Sequence, residues 1–462
     1  MKQGKVYLVG AGPGDPGLIT VRGYQLIQEA DVICYDHLIC FELLDAAPEN
    51  CEKISVGKFS SNHTMSQHDI NALLIQKAHQ GKTVIRLKGG DCYLFGRGGE
   101  EAQACAQADI EFEVVPGITS ALAVPCYAGI PPTHRDYTAH IAIVTGHRKQ
   151  GHDLEIPKAG TVIMLMSVAN IANIIQKLLD QGWPANTPIA AIEHGTCYDQ
   201  RTITGTLENF HQKTTDAKLR TPAVFIIGKV IKLHEKLNWF ERKKNILVLG
   251  NHPQRYAYLG NIVHKRIIKC IGLKNTDKID TILQEPDKID WLVFTSINGV
   301  KYLFKRMFEL NMDIRCFGSV KIAVIGQSTA KRIRELGICP DIIAAAESSK
   351  GLVKEFTKEN MANKQVLFAC AKIVSKELPQ GLTRMGADVI QIPVYQTIDI
   401  DPGEINFDYI DHILFTSAST VRAFIKYYKH LPSTVTALAL GEPTQRAAKE
   451  AGISAEIIQP KP

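Results

Sequence analysis

Five glycines fall within eleven residues of the segment Leu87–Glu101, which also carries Asp91, Arg97 and a pair of glutamates. The segment follows the apolar stretch Thr83–Leu87, which has the composition of a buried strand. No packing demand explains so much glycine. The pattern is typical of a backbone that comes close to a ligand, where a Cβ would intrude and φ is often positive. We therefore predict a ligand-binding loop here, with a flexible surface turn as the alternative.

A second glycine loop, Gly10–Asp15, follows the apolar residues Val6–Val9, and Asp36 ends the next predicted strand. A dinucleotide-binding loop has its third glycine where this chain has Asp15, and Pro13 removes a backbone N–H that a pyrophosphate would need. No complete nucleotide phosphate loop occurs in the sequence. The loop thus favours a ligand that carries an adenosine but no phosphate. A nicotinamide-dependent oxidoreductase remains the alternative from another class of enzyme.

The elements that must position these loops alternate between strands and helices. Helices are predicted over 20–30, with Thr20 as the N-cap, over 69–80, and over 170–181 with Gly182 at the end. Strands are predicted at 6–9, 31–36, 83–87, 139–145, 161–166, 189–193 and 223–227. This alternation predicts a mainly parallel α/β sheet.

A break in the pattern at 237–245, which becomes basic before a new strand at 246–249, predicts a linker. Beyond it the chain repeats itself. Asp290–Val300 is similar to Asp411–Val421, and two later strand–loop segments each place glycines eleven residues apart, at 326 and 337 and at 441 and 452. The repeat predicts two similar α/β lobes, with threonine and serine hydroxyls at strand ends lining the cleft between them.

Composition narrows the class of protein. The chain has 462 residues, 45% hydrophobic and 22% charged, as expected for a soluble globular protein of two to four domains. A net charge of +6 with scattered basic residues gives no support to a nucleic-acid partner. Eleven cysteines without metal-ligand spacing indicate reduced thiols in a cytoplasm and no metal site. The first residues enter a strand at once, so we expect no secretory signal, and no apolar run is long enough to span a membrane.

Four loops of the first half stand in the order seen in uroporphyrinogen-III C-methyltransferases, which are tetrapyrrole methylases: 10–15, 87–101, 115–120 and 129–135. The resemblance implies two α/β subdomains, about 1–115 and 116–240, S-adenosyl-L-methionine as the methyl donor between them, and a homodimer. Carried over by position, the cofactor contacts are Pro13, Gly89, Gly90, Asp91, Leu94, Thr119, Ser120, Met166 and Gly195. Met166 has a buried core residue as its alternative interpretation.

The same resemblance implies Asp36 as proton acceptor and Lys58 as proton donor. A pyrrole carbon attacks the sulfonium methyl group, and the macrocycle must then lose a proton, which a placed carboxylate can accept. A strand-end cap and a surface ion pair are the alternatives for these two residues. Arg97, His134 and Arg135 are candidates for binding the substrate's carboxylates.

The second half resembles uroporphyrinogen-III synthase, a fold of two α/β lobes that needs no metal or cofactor. Both Phe-Thr-Ser segments, both Gly-x-x-Thr loops and Val394–Thr397 carry the resemblance. Tyr395 is the candidate catalytic residue that assists loss of a hydroxyl, with a half-buried structural tyrosine at a strand end as the alternative. Two arginines usual in that family are absent; Arg255, Lys372 and Lys376 are candidates to replace them.

Together these features predict a bifunctional cytoplasmic enzyme, with a methyltransferase at 1–240 and a synthase-like region at 241–462. It would cyclise hydroxymethylbilane to uroporphyrinogen III and methylate that product twice to precorrin-2, for sirohaem or cobalamin. The alternative is a methyltransferase whose second half only binds tetrapyrroles or docks a partner.

Overall fold

The computed structural model describes residues 3–57, 65–146, 155–251 and 253–458. The chain divides into two compact units, one of residues 1–245 with 259–261 and the other of 246–258 with 262–462. Among the described residues, no helix is both long and apolar enough to cross a membrane.

The first unit begins with a five-stranded sheet in which every strand is parallel to its neighbours. The strand order is β3-β2-β4-β1-β5. The elements are β1 (Lys5–Gly10), α1 (Val21–Gln28), β2 (Val32–Tyr35), β3 (Glu52–Ser55), α2 (Gln67–His79), β4 (Thr83–Lys88), α3 (Gly98–Gln107) and β5 (Phe112–Val115). Parallel strands end at one common edge, so the loops after β1, β2, β4 and β5 meet there.

Local sequence explains where the helices begin. Thr20 caps α1 by accepting a hydrogen bond from the amide of Gly23 at 3.1 Å, as predicted. Ser66 and Asp69 form a capping box at the start of α2, in which each side chain accepts from the other residue's backbone N–H. These caps satisfy amides that the helix itself leaves free.

A second sheet completes the first unit, in the order β6-β7-β10-β8-β9. Its elements are α4 (Ser120–Tyr127), β6 (Ile141–Thr145), β7 (Thr161–Leu165), α5 (Ile171–Asp180), β8 (Pro188–Glu193), β9 (Arg201–Thr206), α6 (Phe210–Asp216), β10 (Ala223–Gly228) and α7 (His234–Leu237). Only β6 and β7 are parallel; the other three pairings are antiparallel. The prediction of a mainly parallel sheet was therefore wrong for this second sheet. β9 folds back on β8 through a short connection, and β10 lies between β7 and β8 in the opposite direction.

The second unit contains two sheets, in the orders β12-β11-β19-β20-β21 and β13-β18-β17-β14-β15-β16. Its strands are β11 (Asn245–Val248), β12 (Asn261–His264), β13 (Ile268–Gly272), β14 (Trp291–Phe294), β15 (Lys321–Val324), β16 (Ile342–Ile343), β17 (Gln365–Ala371), β18 (Asp388–Asp399), β19 (His412–Phe415), β20 (Thr436–Ala439) and β21 (Ala455–Ile457). Its helices are α8 (Asp277–Leu283), α9 (Ile297–Glu309), α10 (Gln327–Arg334), α11 (Ser349–Phe356), α12 (Glu377–Arg384), α13 (Ala418–Tyr428) and α14 (Glu442–Glu450). Along the chain, β11 and β12 belong to the first of these sheets, β13–β18 form the whole of the other, and β19–β21 belong to the first again.

Each of the two sheets contains one copy of the internal repeat, as predicted from the sequence. β14 leads into α9 through Ser296, and β19 leads into α13 through Ser417; each serine caps its helix. The glycines that precede α10 and α14, Gly326 and Gly441, both have positive φ, at 76° and 86°. The predicted two-lobed α/β architecture is confirmed, with each lobe containing one sheet.

Candidate active sites

The first candidate site lies at the common strand-end edge of the first sheet, where the two glycine loops contact each other. The amide of Gly12 donates to the carbonyl of Gly90 at 3.2 Å, and the amide of Gly90 donates to the carbonyl of Gly12 at 2.9 Å. Ala11 also donates to the carbonyl of Lys88, at 2.7 Å. The loop after β1 and the loop after β4 are therefore one connected backbone structure.

Asp91 fixes a third loop to this pair. Its Oδ1 accepts from the amides of Tyr93 and Leu94, at 2.8 and 3.1 Å, and its Oδ2 accepts from the amide of Gly117, at 3.0 Å. The carboxylate thus joins the glycine-rich run to the loop after β5. This structural role was not foreseen in the sequence, where Asp91 was assigned to a ligand only.

Most of the glycines in these loops have a packing reason, so the expectation that packing would not explain them was wrong. A Cβ on Gly117 would lie 2.2 Å from the carbonyl oxygen of Gly90, because the backbones of three loops touch here. Gly90 differs: it has a φ of 68°, and the nearest atoms to a Cβ would be the amide nitrogen of Ser120 at 3.6 Å and Cα of Thr119 at 3.9 Å. Gly90, Thr119 and Ser120 therefore border one small space.

The second sheet brings further residues towards this edge. β7 and β8 run in the same direction on either side of β10, so Met166 after β7 and Gly195 after β8 lie at the same edge of their sheet. Met166 is 53% exposed with a φ of 55°, which excludes the buried-core interpretation. A positive φ at a non-glycine residue costs on the order of 1 kcal/mol or more and is found preferentially at functional sites.

The loop after β8 directly contacts the glycine loop after β1, which is the first glycine loop along the chain. Thr196 Oγ1 donates to the carbonyl of Pro13 and accepts from the amide of Asp15 at 3.2 Å. His194 supports this loop, since its Nδ1 lies 2.6 Å from the Asp199 carboxylate. The hydrogen bond to Asp199 raises the pKa of His194 above its usual value, although burial opposes the shift.

The predicted cofactor residues differ in exposure. Pro13 and Gly90 are buried, Met166 is exposed, and the others are partly buried: Gly89, Asp91, Leu94, Thr119, Ser120 and Gly195. Hydrogen bonds and close backbone contacts connect the loops that carry Pro13, Gly90, Asp91, Thr119 and Gly195. Beside Gly90, a space that would admit a Cβ is bordered by backbone atoms of Thr119 and Ser120.

A buried cluster of charges surrounds Asp36. Arg86 donates to Asp36 Oδ1 from Nη2 at 2.5 Å and to Glu101 from Nε at 2.9 Å. Lys88 Nζ lies 3.1 Å from Glu101 and 3.9 Å from Asp36 Oδ2. The side chain of Asp36 is 29% exposed, whereas those of the other three residues are at most 3% exposed. Asp36 is thus the member of this cluster that is most accessible to solvent.

The two carboxylates and two cations of this cluster balance each other. Burial lowers the pKa of Arg86, but the neighbouring charges of Asp36 and Glu101 outweigh it, so the pKa of Arg86 is raised. Arg86, Lys88 and Glu101 were not predicted as site residues from the sequence. The available signal was two basic residues, two positions apart, in an otherwise apolar strand, because buried charges require partners. Lys58, the predicted proton donor, lies outside the described residues.

The predicted substrate-binding residues lie in surface segments. Arg97 is half exposed and forms a bidentate pair with Glu100, at 2.8 and 2.6 Å. His134 and Thr138 close a short turn through their backbones, and Arg135 within it is exposed. His134 Nδ1 accepts from the amide of Asp136 at 3.2 Å. Arg97 therefore has a carboxylate partner already, whereas Arg135 extends into solvent.

The second candidate site lies in the second unit, where Tyr395 of β18 meets Ser296, which follows β14. The Tyr395 hydroxyl lies 3.0 Å from Ser296 Oγ, and its ring stacks on that of Tyr302 with centroids 5.9 Å apart. Tyr395 is only 8% exposed, and burial raises the pKa of its hydroxyl. It lies within β18 and not at the strand end as expected, because β18 continues for four residues beyond it.

The three basic residues predicted to bind the substrate of the second half lie in two different loops. Arg255 Nη2 donates to Ser328 Oγ at 3.2 Å. This bond connects the loop after β11 to the first turn of α10, the helix that follows β15 in the lobe of the six-stranded sheet. Lys372 and Lys376 are exposed in the loop after β17, and the amide of Lys372 donates to the carbonyl of Tyr395 at 2.8 Å. Within the described part of the chain, no group of three or more potential metal ligands is found.

Comparison with known proteins matches the two halves of the chain to two different families. The family model for tetrapyrrole (corrin/porphyrin) methylases matches residues 5–211, and that for uroporphyrinogen-III synthase HemD matches residues 261–462. The porphyrin biosynthesis protein HemD of Ruminiclostridium josui is 35% identical over 97% of this chain and 94% of its own length. The S-adenosyl-L-methionine-dependent uroporphyrinogen III methyltransferase of Methanosarcina barkeri is 49% identical over 51% of this chain and 94% of its own length.

A crystal structure of uroporphyrin-III C-methyl transferase from Thermus thermophilus, complexed with S-adenosyl homocysteine, is 36% identical to this chain. It aligns with 50% of this chain and 99% of its own length, with a TM-score of 0.44. Because the similarity to the Ruminiclostridium protein extends through both halves, the chain belongs to the fused proteins that join a tetrapyrrole methylase to a uroporphyrinogen-III synthase.

Proposed function

We propose that this chain cyclises hydroxymethylbilane to uroporphyrinogen III in its second half and transfers two methyl groups to that product in its first half. The product would be precorrin-2, a precursor of sirohaem and cobalamin. The observation that carries the proposal is the assembly of Asp36 and the loops after β1, β4 and β5 at one strand-end edge of the first sheet. The two family matches in one chain support the presence of both activities.

In the methyltransferase half, the proposed site of S-adenosyl-L-methionine is the space beside Gly90. Thr119 and Ser120 border that space, and Met166 extends from the second sheet. When bound, this molecule supplies an electrophilic sulfonium methyl group. Asp91 holds the surrounding loops in place through three backbone amides, and the glycine contacts keep those loops close together.

Asp36 would accept the proton that the macrocycle loses after methyl transfer. Arg86 donates directly to its carboxylate and holds it in place, and a positioned carboxylate can accept a proton from a reacting group. Lys58 is proposed as the proton donor on the basis of the family resemblance. Arg97, His134 and Arg135 are proposed to bind the carboxylates of the tetrapyrrole, with Arg135 the most accessible of the three.

In the synthase half, Tyr395 is proposed to assist the loss of the substrate's hydroxyl group. Its raised pKa keeps the phenol protonated at neutral pH, so that it can donate a hydrogen bond or a proton. Ser296 fixes the direction of the hydroxyl. Arg255, Lys372 and Lys376 supply positive charge for a substrate with eight carboxylates.

We also propose a cytoplasmic homodimer that needs no metal. All eleven cysteines are free, which supports a reducing compartment. Several large apolar side chains of the first half are exposed, including Leu38, Phe41 and Tyr93, and burial in a dimer would cover them. Sedimentation would test the dimer, and activity measured in excess chelator would test the metal independence.

The decisive experiment supplies the whole protein with hydroxymethylbilane and S-adenosyl-L-methionine and identifies the tetrapyrroles formed. Type III isomer and its dimethylated product are expected. Hydroxymethylbilane alone closes to the type I isomer, so type I as the sole product would refute the synthase proposal. Type III without any methylated product would refute the methyltransferase proposal. Tyr395→Phe should lower type III formation and leave methylation of added uroporphyrinogen III unchanged.

A further inference from the structure

The segment Asn238–Glu241, which we name the strap, follows α7 and lies beyond residue 211, where the methylase family match ends. It belongs to the first compact unit. Two separate chains of side-chain contacts lead from this strap to the first glycine loop, residues 10–16, which lies at the proposed cofactor site.

One chain of contacts is aromatic. The ring of Tyr127, the last residue of α4, lies 5.0 Å from the ring of Trp239 and 4.9 Å from that of Phe240, measured between centroids. Trp239 Nε1 donates to the carbonyl of Cys126 at 3.0 Å, which holds the strap against the end of α4. The Tyr127 hydroxyl then donates to Asp15 Oδ2 at 2.7 Å. The strap thus contacts the residue that holds Asp15.

The other chain of contacts is polar. Glu241 Oε1 accepts from Gln200 Nε2 at 2.9 Å and from Thr202 Oγ1 at 2.6 Å. Gln200 Oε1 accepts from the amide of Thr196 at 2.7 Å, and Thr196 Oγ1 donates to the carbonyl of Pro13. Gln200 and Thr196 are 7% and 3% exposed, so water has little access to replace these bonds.

Both chains of contacts end in the first glycine loop, the polar one at Pro13 and the aromatic one at Asp15. Asp15 also accepts from the amide of Gly17 at 2.7 Å through Oδ1, which fixes the turn that leaves the loop. Burial raises the pKa of Tyr127, and its bond to Asp15 raises it further, so its hydroxyl remains a donor over the neutral range. The conformation of the glycine loop is therefore set by side chains far away in sequence.

We propose that the strap holds the first glycine loop in its cofactor-binding conformation, and that Tyr127 and Gln200 are the positioning residues through which it acts. This inference rests on the proposed function, which places S-adenosyl-L-methionine at that loop. The chain up to residue 211 would then be an incomplete binding site. The segment that connects the two enzymatic halves would be a functional part of the first.

The test uses the full chain with Tyr127→Phe, which removes one hydroxyl and retains the ring that packs on the strap. Binding of S-adenosylhomocysteine is measured by calorimetry, and methylation of uroporphyrinogen III gives kcat and both KM values. We expect the dissociation constant and the KM for S-adenosyl-L-methionine to rise about tenfold, as for loss of one charge-assisted hydrogen bond. The kcat and the KM for uroporphyrinogen III should stay within about twofold of wild type, since the reacting groups are untouched.

Gln200→Met and Trp239→Ala test the polar and aromatic chains separately, and the same rise in cofactor KM is expected. Tyr428→Phe is the matched control, because it removes a tyrosine hydroxyl that donates to Gly403 at 2.6 Å in the second unit. It should leave cofactor binding unchanged. Circular dichroism and thermal unfolding of each variant, measured on the same sample, report whether the first half is folded.

The outcomes separate the inference from the proposal on which it rests. If wild-type protein does not bind S-adenosylhomocysteine, the proposed function and the strap inference both fail. If wild type binds it and folded Tyr127→Phe and Gln200→Met bind it equally well, the strap inference alone is overturned. A fall in kcat with unchanged cofactor KM would also overturn it, because positioning of the cofactor loop predicts the opposite split.

Discussion

Replacement of Asp36 by asparagine is expected to remove most methylation and leave the fold intact. Asparagine has the same volume and retains an oxygen that can accept from Arg86, where the aspartate bond is 2.5 Å long. Only the negative charge and its proton affinity are lost. Removal of a general base lowers the rate about 10²–10⁴-fold, which corresponds to roughly 3–5.5 kcal/mol in the activation free energy.

The structural cost of this change should be small compared with the kinetic one. The variant leaves Arg86 and Lys88 with one carboxylate, that of Glu101, at the centre of the cluster. Because Asp36 is 29% exposed, solvent screens part of the lost attraction. We expect the free energy of unfolding to fall by about 1–2 kcal/mol.

Methylation is measured by the transfer of labelled methyl groups to uroporphyrinogen III, and cofactor affinity by calorimetry with S-adenosylhomocysteine. Glu101→Gln is the matched control, since it makes the same chemical change at a fully buried position of the same cluster. It should cost roughly 3–5 kcal/mol of stability, because two buried cations lose a partner. A folded Asp36→Asn protein that methylates at the wild-type rate would refute the assignment of Asp36, as would an equal rate loss in both variants.

Three further predictions concern other parts of the chain. Asp91→Ala should raise the S-adenosylhomocysteine dissociation constant about tenfold or more, because three loop amides lose their acceptor. A tenfold rise corresponds to a loss of only ~1.4 kcal/mol of binding free energy. Unchanged affinity in calorimetry would contradict the loop placement. The pKa of His194 is raised by Asp199, so the pair stabilises the fold fully below the unfolded value of about 6.5 and loses this effect as the pH rises through the raised value. Wild type should therefore lose thermal stability relative to His194→Asn over that range, and parallel melting curves would exclude the effect. Residues 241–462 alone should fold and enrich isomer III, since both sheets of the second unit lie almost entirely within them; a folded fragment that gives only isomer I would favour a docking module.

Local patterns were sufficient to predict most elements of the first unit. Apolar runs gave β1 and β4 to within one residue, and the Thr20 cap was predicted from residue type alone. Periodicity does not encode strand direction, so the antiparallel pairs of the second sheet were missed. Direction depends on which strands become neighbours, and that is a tertiary property.

The candidate site was predictable in its loops and less so in its supporting contacts. Glycine runs identified the loops around Gly12 and Gly90, but could not distinguish glycines needed for backbone contact from one that borders a space, as at Gly90. The partners of Asp36 come from β4 and α3, and their convergence depends on strand order. Met166 was ambiguous in the sequence because exposure after a strand cannot be read from an apolar residue type.

The return of the chain in the second unit has a consequence for its synthesis on the ribosome. The sheet that contains β13–β18 is built from one continuous stretch and can form as that stretch emerges. In the other sheet, β11 pairs with β19, so β11 and β12 must wait until about 150 more residues have been made. At about 5–20 residues per second, that delay is roughly 8–30 s, during which the two strands have an unpaired edge. Nascent chains are therefore most exposed to aggregation or chaperone capture after the lobe that contains β13–β18 has formed and before residue 412 is translated.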